Sequence, residues 1–281
     1  QIIRREKSSF VMAPKRTLII GAGKIAGRHA EAWKDLIGEG AICDLEPERA
    51  KMLAGRCGLI FEENIQDALA NPVYDIIDVC VPTPYHAEYV MAALRLGRDV
   101  FVEKPLCFDV GEAQQILALA QASRRRVQVG YLFRYHPIFL KVKSWLDAGL
   151  LGHPHLVLVR MGGRGGAAEW KHRSSLGGGA VNEMMVHKLD LLFMFFGEVK
   201  FNRVLAMDTI LPQRDIGGAV VNVDAEDFAL VECLAGDTKV ILQSDLVSPA
   251  YVENIEVHGD NGSLVASVQE AAKSYLFLKE G

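Results

Sequence analysis

The sequence predicts a two-domain α/β protein, in which a domain with a parallel sheet precedes an α+β domain with an open, mainly antiparallel sheet. In the first half, short apolar strand patterns alternate with helical patterns of about 10–15 residues, which is typical of βαβ units. In the second half, a run of strand patterns follows a few helices. The 281 residues, at roughly 150 per domain, indicate two domains. We place them at 12–131 and 132–281.

Composition and charge exclude several classes of protein. Hydrophobic residues make up 50% and charged residues 23% of the chain, which is a globular composition. A formal net charge of −4 argues against a nucleic-acid partner, because such proteins carry a basic field. The longest apolar run, Leu189–Phe196, contains Asp190 and is far shorter than the ~18 residues of a membrane helix. We expect no membrane association.

Cysteine usage and the N-terminal sequence bear on the compartment. The five cysteines are scattered and form no C-x-x-C pair, which favours a reduced environment. Arg4 and Arg5 are followed at once by polar residues instead of an apolar segment, so we read no secretory signal. These two observations favour a cytoplasmic protein.

The elements of the first half follow in chain order. Strand patterns cover Thr17–Ile20, Ala41–Cys43, Ile76–Val81, Val100–Val102 and Val127–Val129. Helical patterns cover Lys24–Leu36, Pro47–Cys57, Tyr85–Leu96 and Val110–Ser123. Three of these helices carry end signals: Pro47 suits a first turn, Gly97 a C-cap and Asp109 an N-cap.

The second half begins with a helical pattern over Pro137–Ala148 and a strand pattern over Leu156–Met161. The glycine-rich stretch Gly162–Gly179 predicts a loop, and Ala180–Phe196 predicts a helix. Five strand patterns follow, over Arg203–Met207, Asp227–Cys233, Thr238–Ser244, Asn254–His258 and Ser263–Val268. Asp260, Asn261 and Gly262 form a turn signal between the last two strands.

A glycine motif opens the first helix. Its residues, directly after the first strand, are Gly21, Ala22, Gly23, Lys24, Ile25 and Ala26. Such glycines let the backbone approach a pyrophosphate, and the helix N-terminus supplies N–H donors. Taken alone, the motif is equally typical of a plain strand-to-helix turn. Asp44, which follows the second strand, strengthens the dinucleotide interpretation, although it also suits a helix cap.

Asp44 also bears on the choice of cofactor. Leu45 and Glu46 follow it, and no arginine comes before Arg49. A 2′-phosphate would face carboxylates there, so the sequence favours NAD over NADP.

Two further motifs carry reactive side chains. Glu103, Lys104 and Pro105 follow a strand, at the edge where open parallel sheets bind ligands. Three roles are open for Lys104 there: a donor to a substrate oxygen, an acid or base if its pKa is lowered, or a surface lysine paired with Glu103. In the predicted helix Ala180–Phe196, Glu183, His187 and Asp190 lie at i, i+4 and i+7 and so share one face.

Ionisable groups on so apolar a helix are costly to bury, so they indicate a functional site, a polar face at the surface, or a structural hydrogen bond of the histidine. Glu183 and His187 alone do not make a metal site, so no metal is expected.

In this order, the motifs resemble those of the Gfo/Idh/MocA oxidoreductases, which include glucose–fructose oxidoreductase and inositol dehydrogenase. The similar segments are G-A-G-K-I-A-G-R-H-A (21–30), C-D-L-E-P-E-R-A (43–50), V-P-T-P-Y-H-A-E (81–88), V-E-K-P-L (102–106) and G-G-G-A-V-N-E-M-M-V-H-K-L-D-L-L (177–192). The resemblance implies an N-terminal Rossmann domain and a C-terminal domain with an open sheet, with substrate bound between them over the nicotinamide. It also implies a homodimer or homotetramer formed through that sheet.

The resemblance also implies roles for single residues. Lys104 is catalytic and His187 is the acid/base, and Glu183 stands where the family usually has Asp. The implied cofactor contacts include Thr83, Pro84, His86, Glu103, Lys104, Trp170 and Lys171.

The hypothesis that follows is an NAD-dependent oxidoreductase that acts on a sugar, a cyclitol or a sugar nucleotide. Two alternatives stay open: an NAD-dependent enzyme that cleaves glycosides, and a non-catalytic NAD-sensing regulator on the same fold. Lys104 and His187 favour an enzyme, since a sensor needs neither. Loops such as 162–176 are expected to set the substrate.

Overall fold

The computed structural model describes residues 15–34, 39–165, 168–269 and 274–279. The chain divides into two compact units, one ending at Val129 and one beginning at Gly130. Within the described residues, every helix is too short or too polar to serve as a membrane span.

The first unit is built on a parallel sheet. Its strands are β1 (Thr17–Ile20), β2 (Gly40–Cys43), β3 (Ile60–Phe61), β4 (Ile76–Val79), β5 (Asp99–Val102) and β6 (Val127–Val129). Its helices are α1 (Lys24–Lys34), α2 (Pro47–Cys57), α3 (Ile65–Ala70), α4 (His86–Arg95) and α5 (Val110–Ser123). The strand order is β3-β2-β1-β4-β5-β6, so the order reverses between β1 and β4, where such sheets bind ligands at the carboxyl ends of the strands.

Two elements of this unit were not predicted. β3 has only two residues, and α3 has six. A signal for α3 was present, because the Asn64 side chain accepts hydrogen bonds from the backbone N–H of Gln66 and Asp67, as an N-cap does. The predicted end of the first helix, Leu36, falls outside the described residues.

The second unit holds a mixed sheet. Its strands are β7 (Pro154–Gly162), β8 (Lys200–Asp208), β9 (Gln213–Ile216), β10 (Ala219–Asn222), β11 (Phe228–Ala235), β12 (Thr238–Asp245), β13 (Val252–Gly259), β14 (Gly262–Ala266) and β15 (Tyr275–Leu278). Its α-helices are α6 (Pro137–Asp147) and α7 (Val186–Phe196). Seven strands pair in the order β15-β14-β13-β7-β12-β11-β8. Among the described strands, every pair of this sheet is antiparallel except β7–β12, which confirms the predicted mainly antiparallel sheet.

The remaining two strands, β9 and β10, form a separate hairpin that the sequence analysis missed. Its turn residues, Gly217 and Gly218, have φ of 66° and 88°. A two-residue turn with positive φ at both positions favours Gly-Gly, so a local signal was present.

One face of the larger sheet makes the core of this unit. Val157, Val231 and Leu242 from the strands pack with Phe139 of α6 and Leu191 of α7 in a single buried cluster. The two helices therefore gain most of their stability from this apolar contact.

Candidate active site

The glycine loop of the first unit has the geometry that a dinucleotide needs. Gly21 has a φ of 101°, and a Cβ there would lie 2.7 Å from the carbonyl oxygen of Cys80, so a larger residue does not fit. Gly23 is exposed, and a Cβ there would meet only its chain neighbours within 4 Å among the described residues, which leaves its backbone open to a ligand. Lys24 begins α1 in an exposed position, whereas Ala26 is fully buried beneath it. The first N–H groups of α1 lack acceptors within the helix.

Asp44 stands beside this loop. One carboxylate oxygen accepts the backbone N–H of Ala22 at 2.6 Å, and the other accepts that of Glu46 at 2.8 Å. These bonds hold the side chain at the end of β2, and each oxygen keeps a lone pair for a ribose hydroxyl. Arg49, the first arginine after Asp44, binds Glu46 at 2.8 Å. The residues therefore fit NAD, and a 2′-phosphate would meet two carboxylates.

The segment after β4 packs against the turn after β5. Thr83 and His86 are buried, and Pro84 lies half-buried in a single 3-10 turn. His86 Nδ1 lies 2.7 Å from the carbonyl oxygen of Pro105, and Nε2 lies 2.8 Å from that of Val81. Burial lowers the pKa of His86. Its ring nitrogens thus face backbone oxygens, which makes His86 a support for the Lys104–Pro105 turn in this structure.

Glu103 and Lys104 directly follow β5 and are both half-buried. The Glu103 N–H donates to the carbonyl oxygen of Val79 at 3.1 Å, which joins the turn to the end of β4. One Glu103 carboxylate oxygen accepts the N–H of Lys104 at 3.1 Å. Glu103 therefore fixes the backbone from which the Lys104 side chain extends.

A buried cluster behind this turn was missed by the sequence analysis. Among the described residues, one trio of potential metal-binding groups lies within 4.8 Å: His29, Asp78 and Cys80. The signal was Asp78, a lone carboxylate within an otherwise apolar strand pattern. A buried charge needs a partner, and here that partner is His29 of α1, at 3.0 Å.

In the second unit, the predicted helix Ala180–Phe196 is only partly regular. Val181–Met185 forms a π-helical turn, and α7 begins at Val186. The assumption that Glu183 follows regular α-helical spacing is therefore wrong. Glu226, distant in sequence, binds the start of this segment: its backbone oxygen accepts the N–H of Ala180 at 2.8 Å, and its side chain accepts that of Val181 at 3.1 Å.

Glu183 forms an ion pair with Lys171. The Lys171 ammonium also lies 5.1 Å from the ring centre of Trp170, within cation–π range. The structure thus joins three residues that the sequence analysis had singled out separately, two as cofactor contacts and one as catalytic.

His187 is nearly buried, with 7% of its surface exposed. The centre of its ring lies 5.2 Å from the centre of the Phe133 ring. Asp190, one turn later, binds the Arg134 guanidinium at 2.7 and 2.9 Å, and this pair holds α7 against the chain before α6. Asp190 therefore has a structural partner of its own.

Comparison with known proteins identifies the family. Residues 15–131 match the family described as oxidoreductase family, NAD-binding Rossmann fold, and residues 139–265 match the GFO/IDH/MocA C-terminal domain. The chain belongs to the Gfo/Idh/MocA oxidoreductase family. The predicted family, fold class, enzyme class and cofactor are confirmed: this Gfo/Idh/MocA protein is an NAD-binding oxidoreductase.

Several relatives match most of this Gfo/Idh/MocA chain. Inositol 2-dehydrogenase of Rhizobium meliloti is 28% identical over 94% of this chain and 78% of its own. The enzyme of the same name from Acidothermus cellulolyticus is 29% identical over 90% and 72%.

Solved structures of similar fold include that of levoglucosan dehydrogenase in complex with NADH and levoglucosan. It has a TM-score of 0.86 and 20% sequence identity, and the match covers 95% of this chain and 77% of that one. Another is the WlbA dehydrogenase of Bordetella pertussis with NADH and UDP-GlcNAcA, with a TM-score of 0.85, 20% identity, and coverage of 96% and 78%. At this identity they show the shared fold.

Proposed function

We propose that the protein oxidises a secondary hydroxyl group of a cyclitol, sugar or sugar nucleotide with NAD. One observation carries this proposal. The glycine loop after β1 and the Glu103–Lys104 turn after β5 lie at the same carboxyl edge of the parallel sheet. The two strands are separated only by β4, so the motifs are about 10 Å apart at ~4.8 Å per strand. That spacing suits a cofactor bound by its pyrophosphate at one motif, with its reacting end at the other.

The cofactor-binding set in this proposal combines the loop and turn residues. Gly21, Gly23 and Ile25 present backbone to the pyrophosphate, and Asp44 binds ribose hydroxyls. The further contacts in the proposal come from Lys24, Thr83, Pro84, Glu103, Lys104, Trp170 and Lys171. The buried residues Ala26 and His86 support the glycine loop and the Lys104–Pro105 turn without touching the cofactor. We propose residues 12–131 as the NAD-binding domain and residues 132–281 as the domain for substrate binding and assembly.

The chain's own residues handle a proton and a developing charge. The NAD held by these residues would supply the hydride acceptor for the carbinol carbon. The Lys104 ammonium donates a hydrogen bond to the reacting oxygen and stabilises its negative charge, an effect often worth a few kcal/mol. His187 takes the hydroxyl proton, because the unperturbed pKa of imidazole, ~6.5, lies near the pH at which the enzyme works. Glu183, held by Lys171, binds a substrate hydroxyl or orients the imidazole.

The substrate class is proposed from the relatives. Two of them, similar over most of the chain, are named inositol 2-dehydrogenase, and a cyclitol therefore comes first. Two structural relatives contain levoglucosan and UDP-GlcNAcA, which keeps sugars and sugar nucleotides in the same class. All of these ligands carry ring hydroxyl groups.

We also propose a homodimer or homotetramer formed through the larger sheet. All nine residues of its edge strand, β8, are exposed. The proposed compartment is the cytoplasm, where the five free cysteines would stay reduced.

The experiment that tests this function follows NADH absorbance with inositols, monosaccharides and sugar nucleotides as substrates. We expect turnover with at least one, and losses in kcat of roughly 10²-fold for Lys104→Ala and His187→Ala, typical of lost acid–base catalysis. His155→Gln, a change at a half-exposed histidine on β7, is the matched control and should keep wild-type turnover.

Other outcomes decide between the alternatives. Release of a sugar from a glycoside without net NADH would favour the glycoside-cleaving enzyme. NAD binding without turnover of any substrate would favour a regulator. Wild-type kcat in His187→Ala would contradict its role as the acid/base.

A further inference from the structure

His29 of α1 lies between two carboxylates that belong to neighbouring strands. Its Nδ1 is 3.0 Å from Asp78 Oδ2 on β4, and its Nε2 is 3.0 Å from Glu103 Oε1 after β5. A carboxylate only accepts hydrogen bonds, and a neutral imidazole has a single N–H. Both contacts are hydrogen bonds only when the ring is an imidazolium.

The surroundings favour that charged form. Asp78 is fully buried and also accepts a hydrogen bond from the Trp33 indole at 2.6 Å. Phe101 packs against the His29 ring at 5.3 Å between centres. Burial lowers the pKa of His29, but the hydrogen bonds and charges of Asp78 and Glu103 outweigh it and raise the pKa to about 10.

The same contacts reach the turn that carries Lys104. Glu103 binds His29 through one carboxylate oxygen and the backbone N–H of Lys104, at 3.1 Å, through the other. A continuous chain of hydrogen bonds therefore runs from buried Asp78 through His29 and Glu103 to the Lys104 backbone. Every member lies in the first unit.

We propose that His29 is a positioning residue, which fixes the Lys104 turn through Glu103. This inference rests on the proposed catalytic role of Lys104. Without the imidazolium, the carboxylates of Asp78 and Glu103 would have no cation between them. Glu103 would be free to turn away from His29 toward the Lys104 ammonium. The carboxylate would then pull the ammonium away from the substrate oxygen.

The competing interpretation of this cluster is a metal site. Cys80 Sγ lies 3.2 Å from His29 Nδ1 and 3.4 Å from Asp78, and burial raises the pKa of the Cys80 thiol well above its usual value. A protonated thiol is a poor metal ligand. Both His29 nitrogens are already directed at carboxylates. These observations favour the hydrogen-bonded form.

The first test compares two variants that both change the hydrogen bonds to Asp78, of which only His29→Gln also changes the contact with Glu103. We expect His29→Gln to lower kcat by roughly 10- to 100-fold, the scale of a misplaced catalytic group, with the Kd for NAD within about twofold of wild type. Trp33→Phe is the matched control, because it removes the indole N–H and keeps a ring against Phe101. It should lose thermal stability but keep kcat within about twofold. Equal kcat losses in both variants would indicate a merely structural role and overturn the proposal.

The second test measures the protonation state of the His29 imidazole by NMR of wild-type protein labelled with ¹⁵N-histidine. A parallel sample contains added Zn²⁺. We expect the ring to stay doubly protonated above pH 8, in the presence or absence of zinc. Titration near pH 6.5 would overturn the proposal. So would stoichiometric zinc binding with loss of the ring protons, which would establish a metal site. Because this test uses wild-type protein, it also decides the matter should His29→Gln fail to fold.

Lys104→Ala separates the two proposals. If it keeps turnover, the catalytic role of Lys104 fails, and the positioning inference fails with it, whatever the NMR result. If it loses turnover while His29→Gln keeps wild-type kcat, the positioning inference alone is wrong.

Discussion

Lys188 and Glu253 form an ion pair that is completely shielded from solvent. The Lys188 ammonium lies 5.1 and 4.7 Å from the ring centres of Phe133 and Phe139. Burial lowers its pKa to about 8, although the charge of Glu253 acts in the opposite direction. The other Glu253 oxygen accepts the N–H of Val268 at 2.7 Å. The pair joins α7 to β13 next to His187 in the chain.

We expect Glu253→Leu to be strongly destabilising, because it leaves an ammonium buried without its carboxylate. Loss of one partner of a buried pair costs about 3–5 kcal/mol of unfolding free energy, measurable by urea denaturation. The double variant Lys188→Met/Glu253→Leu should lie closer to wild type, since no charge stays buried. A single variant as stable as wild type would contradict this.

The His29 imidazolium gives a pH-dependent contribution to stability. The pKa of His29 is raised from 6.5 to about 10, so the folded state holds a proton that the unfolded state releases above pH 6.5. Its contribution is fully present below about pH 6.5 and is lost as the pH rises toward 10. The difference in unfolding free energy between wild type and His29→Gln should shrink across that range. A difference that is constant from pH 6 to 10 would count against a charged His29.

At the scale of single elements, β8 is the most exposed strand of the larger sheet. Phe201, Val204 and Met207 pair directly with Cys233, Val231 and Ala229 of β11, and paired residues lie on the same face. The three β11 residues are in the core, whereas their β8 partners are 60%, 57% and 51% exposed. The apolar face thus continues past the part that the helices cover.

An uncovered apolar stripe on an edge strand is typical of an interface. We expect wild type to form a dimer or tetramer, and Val204→Lys to dissociate it, because the substitution places a charge within the stripe. Val110→Lys, at an equally apolar and 72% exposed position on α5, should keep the assembly. Light scattering measures the molar mass of each protein in solution. A monomeric wild type, or a Val204→Lys variant with the same mass as wild type, would contradict the proposed interface.

Elements were predictable where the signal lay in a few neighbouring residues. α5 begins after Asp109, whose side chain accepts the N–H of Glu112 at 3.0 Å, as its position indicated. The π-helical turn before α7 was not predictable, because its start is bound by Glu226, which follows it by some 45 residues. The uncovered stripe on β8 also needed the register with β11, which no local pattern contains.

At the scale of the whole molecule, the cofactor preference follows from the end of β2. We expect NAD to bind more tightly than NADP by at least roughly tenfold, or about 1.4 kcal/mol, because Asp44 repels a 2′-phosphate. Asp44→Ala should narrow the ratio of the two dissociation constants. It should also weaken the binding of NAD, since the carboxylate holds the glycine loop through Ala22. Calorimetric titration measures the dissociation constants of NAD and NADP. Tighter binding of NADP to wild type would contradict this assignment.

The motifs of the site could be found from the sequence, but the partners of their residues could not. Gly21 and Asp44 follow strands at a diagnostic spacing, and Lys104 follows β5. His29 and Asp78 are 49 residues apart, and His29 and Glu103 are 74 apart. Contacts at such separations depend on the strand order of the folded sheet. Sequence spacing therefore predicted the proposed reactive groups, and the fold was needed to show which residues hold them.

Hydride transfer from carbon to the nicotinamide is the central claim, and isotope transfer tests it most directly. The best substrate of the screen, deuterated at the carbinol carbon, is incubated with the enzyme and NAD, and the reduced cofactor is analysed by mass spectrometry. We expect one deuterium per molecule in the nicotinamide ring, with the hydroxyl proton released to solvent. Reduced cofactor without deuterium, or substrate conversion without cofactor reduction, would contradict the proposed function.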